Sequence, residues 1–153
     1  GLRAHDIWAM EIDHVDWAAG TVRVRGKRRR EVRLPLPQEA GDALLAYLED
    51  ARPLVDERRI FLRSAAPYVP FASSNVVSTI VRSALRRAGI TDAPSQGAHL
   101  LRHSAATAML RAGATLDAIG AVLRHESPNT TAHYAKVDLA TLCLIAQPWP
   151  GDA

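Results

Sequence analysis

Alternation of apolar and polar residues is confined to one stretch of this chain, Ile12 to Pro37, and the segments after it carry a helical period instead. That division allows a small sheet built from local hairpins, set against a body of helices, and little else. His14–Trp17 alternates, Ala19-Gly20 punctuates, and Thr21–Arg25 alternates again with Val22 and Val24 on one face. Gly26–Arg29 forms the next turn, with Lys27 near its tip, and Glu31–Pro35 returns as a third strand. Pro35 and Pro37 end the sheet, because proline has no N–H to give to the ladder.

The spacing then predicts a helix over Gln38–Ala51 with Ala43, Leu44, Tyr47 and Leu48 on its apolar stripe. Arg59–Leu62 is a short apolar stretch that reads as a strand or a buried turn, and Ser64–Ser73, with Pro67 and Pro70, reads as a loop. A long helix follows over Ser74–Ala88, with Val76, Val77, Ile80, Val81 and Leu85 inward, Arg82, Arg86 and Arg87 on the other side, and Gly89 as its stop. His99–Ala112 offers Leu101, Ala105, Ala108 and Met109 for packing and ends at Gly113. Thr115 can cap the next helix, whose stripe is Leu116, Ile119, Val122 and Leu123. Ser127-Pro128 starts another, which carries Tyr134, and Leu139–Ala146 is apolar enough to need a partner surface. The expected fold is α+β and mainly α, with a small three-stranded antiparallel sheet near the N-terminus. It forms one domain over residues 1–147, followed by a tail over 148–153. Gly1-Leu2-Arg3 reads like the end of a helix whose body is absent, as in a domain cut from something longer.

A length of 153 residues suits one domain with a real core. No run approaches the roughly 18 apolar residues of a membrane span, and nothing resembles a signal peptide. The single cysteine, Cys143, excludes an internal disulfide or a cysteine-based zinc site, so a cytosolic, reducing setting is expected. Net charge is only +3, yet Arg23, Arg25, Lys27, Arg28, Arg29, Arg30 and Arg33 crowd one segment against the single Glu31. Such a block fits a polyanionic partner, most often nucleic acid, and fits equally a solvated hairpin surface.

The chemistry concentrates between Ala98 and Lys136. His99 and Arg102 are three apart and share a helix face, so an imidazole and a guanidinium can converge on one target. The guanidinium fork matches two phosphate oxygens and stays charged at any relevant pH. His125, at the end of the next helix, can donate to a third oxygen or exchange a proton. The Tyr134 hydroxyl needs nearby cations or a base to become a nucleophile, and these residues could supply them. Taken singly, each reads as a packing or surface residue; together they suit the holding and attack of a phosphodiester.

The residues resemble the catalytic domain of the tyrosine recombinase, or phage integrase, family. Gly1-Leu2-Arg3 matches its first arginine, and Arg25-Gly26-Lys27, followed by Leu34-Pro35-Leu36, matches its hairpin lysine. His99-Leu-Leu-Arg102-His103 matches its His-x-x-Arg box, Leu123-Arg124-His125 its Leu-Gly-His, and Thr130-Thr131-Ala-His-Tyr134 its nucleophile motif. The match runs from Gly1 to about Val137.

The resemblance implies phosphoryl transfer with neither metal nor cofactor, on double-stranded DNA recombination sites, by a homotetramer away from any membrane. Tyr134 would attack the scissile phosphate. Arg3, Arg102 and His125 would hold the non-bridging oxygens, Lys27 would protonate the departing 5′-oxygen, and His99 would assist proton transfer at the nucleophile. Arg25, Arg28, Arg29, Arg30 and Arg124 are the expected DNA contacts. Three departures stand out: Arg124 in place of the usual glycine, His5-Asp6 in place of Ser-Glu, and Arg28 in place of a hairpin glycine. The helices and DNA-clamping domain that precede the first arginine in the family are absent from this sequence. Two other readings remain open at this level: a type IB topoisomerase-like enzyme, and a non-catalytic DNA-binding remnant.

Overall fold

The alternating stretch forms the sheet its pattern requires. In the computed structural model, which describes residues 1–25 and 31–125, β1 (Val15–Asp16), β2 (Thr21–Arg25) and β3 (Glu31–Pro35) pair antiparallel in that order. Val22 stands opposite both Val15 and Leu34, and Val24 opposite Val32, so one face of the ladder is wholly aliphatic. Val15, Val22 and Val24 are buried with Met10 and Ile60. Arg23, one residue out of phase, takes the opposite face, where it pairs with Asp13 at 3.6 Å and Glu31 at 3.5 Å. One arginine of the basic block is therefore engaged within the protein. The first strand is shorter than its pattern predicts, and Trp17 beyond it is 45% exposed.

Two compact units are present, Leu2–Leu100 and Gly1 together with the chain from Leu101 onward. In the first, α1 (Ala4–Trp8) precedes the sheet and α2 (Gln38–Ala46) follows it. The predicted helix over 38–51 changes character at Tyr47, where a π-helical turn (Tyr47–Ala51) takes over and the Arg52 amide donates to the Tyr47 carbonyl at 2.7 Å. Leu44, Tyr47 and Leu48 pack on the sheet core as expected, whereas Ala43 is exposed. The segment Arg52–Ile60 folds around one side chain: the Arg52 guanidinium donates to the carbonyls of Pro53, Glu57, Arg59 and Ile60. That holds Ile60 fully buried in the core and Leu62 close behind it. Trp8 secures the end of α1, its indole N–H on the Phe71 carbonyl at 2.7 Å and its ring beneath the Arg59 guanidinium at 4.6 Å.

α3 (Asn75–Arg87) buries Val77 and half-buries Val81 and Leu85, while Ile80, at the edge of that stripe, is 51% exposed. Its predicted stop, Gly89, has φ 72°. Gly97 then brings the chain in tightly: its φ is 124°, and a Cβ there would lie 3.0 Å from the Ser78 Cβ. The next amide, of Ala98, donates to the Ser78 hydroxyl at 3.4 Å, so α3 fixes where α4 (Ala98–Arg111) begins.

Among the described residues of the second unit, Ala106, Ile119 and Leu123 form a buried cluster, with Met109, Leu110 and Ala114 around them. α5 (Leu116–Leu123) is capped as its sequence predicts, the Thr115 hydroxyl accepting from the Ala118 amide at 3.2 Å. The inward row of α4 is Arg102, Ala105, Ala106, Met109 and Leu110, a regular helical spacing. Leu101 and Ala108, expected to pack, lie off that row and are exposed, as is Val122 on α5. Among the described residues no helix is long and apolar enough to cross a membrane.

Candidate active site

Arg3 stands at the start of a helix. Its backbone is extended, and α1 begins at the next residue. The cause is Asp6, whose buried carboxylate accepts from the Arg3 amide at 3.0 Å, while the Arg3 carbonyl accepts from the amides of Asp6 and Ile7. His5-Asp6 thus keeps a carboxylate three residues after Arg3, where it closes the first turn. His99, in the first turn of α4, is exposed.

Arg102 is 7% exposed, a buried cation on the inward row of its helix. Its guanidinium donates to the Gly1 carbonyl at 2.6 Å and to the Leu123 carbonyl. An added Cβ at Gly1 would lie 2.5 Å from a Leu123 methyl, so a larger residue there would displace the Leu123 side chain. The chain leaving α5 turns at Arg124, whose φ of 55° and ψ of 50° are left-handed. The Arg124 amide donates to the Ala121 carbonyl at 3.1 Å and the His125 amide to the Gly120 carbonyl at 2.9 Å, so His125 follows a defined helix stop.

The departure from glycine at position 124 therefore falls where a left-handed backbone is needed. Arg124→Gly is expected to raise the unfolding free energy by about 1 kcal/mol. Thermal melting checks this, and a fall in stability would show that the Arg124 side chain contributes more than its backbone conformation costs.

Of the other predicted residues, Lys27, Arg28, Arg29, Arg30 and Tyr134 lie outside the described residues, and for Arg25 only the backbone, at the end of β2, is described. One feature was not anticipated, and one is fuller than its sequence reading. Glu11, Asp13 and His14 bring their donor atoms within 4.8 Å of one another. Arginines already occupy these carboxylates: Arg58 lies 3.4 Å from Glu11 and 2.8 Å from Asp13, and the His14 Nδ1 accepts from the Glu11 amide at 3.2 Å. This is an ion-pair cluster that ties the turn before β1 to the segment around Arg58. The fuller one is the outer face of α3: Arg82, Arg86 and Arg87 lie opposite the apolar stripe as the sequence predicts, and Asn75, Thr79 and Ser83 are exposed beside them. The sequence holds no carboxylate between Glu57 and Asp92, so this cationic face has no acidic neighbour along its own segment.

Residues 1–140 match the Phage integrase family. The chain belongs to that family. It is 49% identical over 153 residues to the putative integrase/recombinase y4rA of Sinorhizobium fredii, covering all of this chain and 37% of that protein. It is 33% identical over 147 residues to the tyrosine recombinase XerC of Mycobacterium tuberculosis, covering 93% of this chain and 47% of XerC. In fold it is similar to the XerH site-specific recombinase in its post-cleavage complex with the palindromic difH substrate. The TM-score is 0.73 at 23% identity, over 92% of this integrase-family chain and 40% of XerH. The chain thus spans less than half the length of each of these proteins.

Proposed function

We propose that this chain is the catalytic domain of a site-specific DNA recombinase that breaks and rejoins strands through a 3′-phosphotyrosyl link. The observation that carries the reading is the family match over residues 1–140, a span containing Arg3, Lys27, His99, Arg102, His125 and Tyr134 in family order. The Tyr134 oxygen attacks the scissile phosphorus, the bond to the 5′-oxygen breaks, and Lys27 delivers a proton to that leaving oxygen. His99 assists proton transfer at the tyrosine. Arg3, Arg102 and His125 offset charge on the non-bridging oxygens, and losing one such donor would cost on the order of 3 kcal/mol of transition-state stabilisation. The tyrosyl link keeps the phosphodiester energy, so a 5′-hydroxyl from another strand reseals it without ATP.

The substrate in this reading is double-stranded DNA carrying a recombination site, worked on in the cytoplasm by a tetramer of the full-length protein. The basic hairpin residues Arg25, Arg28, Arg29 and Arg30, and Arg124 after α5, contact its backbone. The sequence pI near 9.5 and the carboxylate-free face of α3 support a polyanionic partner. Replacing Arg82, Arg86 and Arg87 together with alanine is expected to weaken DNA binding. The slope of log K against log salt should become shallower by roughly 0.9 for each phosphate that is no longer neutralised. An unchanged slope would remove α3 from the interface.

The deciding experiment incubates the full-length protein with a nicked suicide substrate bearing its site. The reading requires a covalent protein–DNA adduct that survives denaturation. Absence of an adduct on that site would leave only a DNA-binding remnant, and relaxation of supercoils without site preference would point to a topoisomerase instead.

A further inference from the structure

An arginine on the inward row of a helix is an unusual choice, because a buried cation is costly unless its surroundings replace water. Arg102 shares that row with Ala105, Ala106, Met109 and Leu110, and its charge meets the carbonyls of Gly1 and Leu123. The Leu123 carbonyl belongs to the last turn of α5, where unpaired C=O groups and the helix dipole present negative charge. The side chain of the same leucine is 1% exposed in the core. Two residues later stands His125, reached through the left-handed Arg124.

We infer that Arg102 is a clasp that sets the position of His125 before any DNA is bound. Its guanidinium fastens Gly1 and the end of α5, so the exit turn through Arg124 starts from a fixed carbonyl. Arg102 is then a positioning residue for His125 in addition to the phosphate ligand proposed above, and only the consequence for DNA cleavage rests on that proposal. The fork matters as well as the charge, since two nitrogens reach two separate carbonyls, which the single nitrogen of lysine cannot reproduce.

The test is amide hydrogen exchange on the full-length protein without DNA, comparing wild type with Arg102→Lys and Arg102→Met. The methionine variant keeps an apolar stem on the inward row and leaves no unpaired charge, so it preserves the core if lysine does not. The amides of Arg124 and His125 are expected to exchange on the order of tenfold faster in both variants. The Ile119 amide, held by the Thr115 carbonyl, and the Ile60 amide, held by the Met10 carbonyl, should stay at wild-type rates. Unchanged exchange at Arg124 and His125 in the methionine variant would overturn the inference. So would an equal acceleration at Ile119, because Arg102 would then support the whole unit and not the exit turn. Because no DNA is present, a failed adduct assay and a failed clasp are separate results.

Discussion

Tyr134→Phe in the full-length protein is expected to abolish the covalent adduct on a suicide substrate while leaving DNA affinity close to wild type. The change removes one oxygen and keeps the ring, so packing and charge are preserved and only the nucleophile is lost. No other residue type in the proposed set can form the same link: arginine and lysine are donors here, and a phosphohistidine would be labile to acid where a phosphotyrosine is not. Denaturing electrophoresis gives adduct yield and a mobility-shift titration gives affinity. An adduct of undiminished yield from the phenylalanine variant would reassign the nucleophile. Loss of affinity together with the adduct would show instead that Tyr134 acts in binding.

The second large effect is on stability. Ile119 is fully buried and packs with Ala106 and Leu123. Ile119→Ala is expected to cost about 3–4 kcal/mol, the transfer free energy of the lost methyl groups plus a cavity that two short helices cannot fully close. Denaturant unfolding followed by a probe on α5 measures it. Because Leu123 leads through Arg124 to His125, the same variant should lower cleavage before it melts the unit. A cost under about 1 kcal/mol would mean that the site collapses around the missing atoms.

The legible parts of this fold are those governed by short-range rules. Alternation at Val22 and Val24 gives the sheet and its buried face, Thr115 gives the start of α5, and Gly89 and Gly113, both at positive φ, give helix ends. Arg52 has no such signature, because an arginine that binds four carbonyls of its own loop looks in sequence like any surface arginine. The sequence marks Arg102 as a candidate phosphate ligand and gives no sign that it is a core residue. Reading Leu101 as inward and Arg102 as facing a ligand with His99 puts the packing row one position out of phase. The hydrophobic pattern alone favours the leucine, and only the carbonyls that receive the guanidinium make the observed phase affordable. Arg3 was found by its motif, yet its place before α1 depends on Asp6, a residue first noticed only as a departure from the family pattern. Motif matching named the candidate residues, and capping and packing decided the backbone that carries Arg3 and Arg102.

Leu123 meets Gly1 with a methyl group, Arg102 with its carbonyl, and Ile119 and Ala106 with its side chain. Substitutions at these positions cannot be selected one at a time. Gly1→Ala should be destabilising alone, and Leu123→Val should be destabilising alone through poorer packing. In combination the valine removes the methyl that the new Cβ would strike, so the double variant should be more stable than the sum of the two losses. A change acceptable in one homologous background would then be harmful in another, and exchange of catalytic segments between family members should succeed only when position 1 and the end of α5 move together.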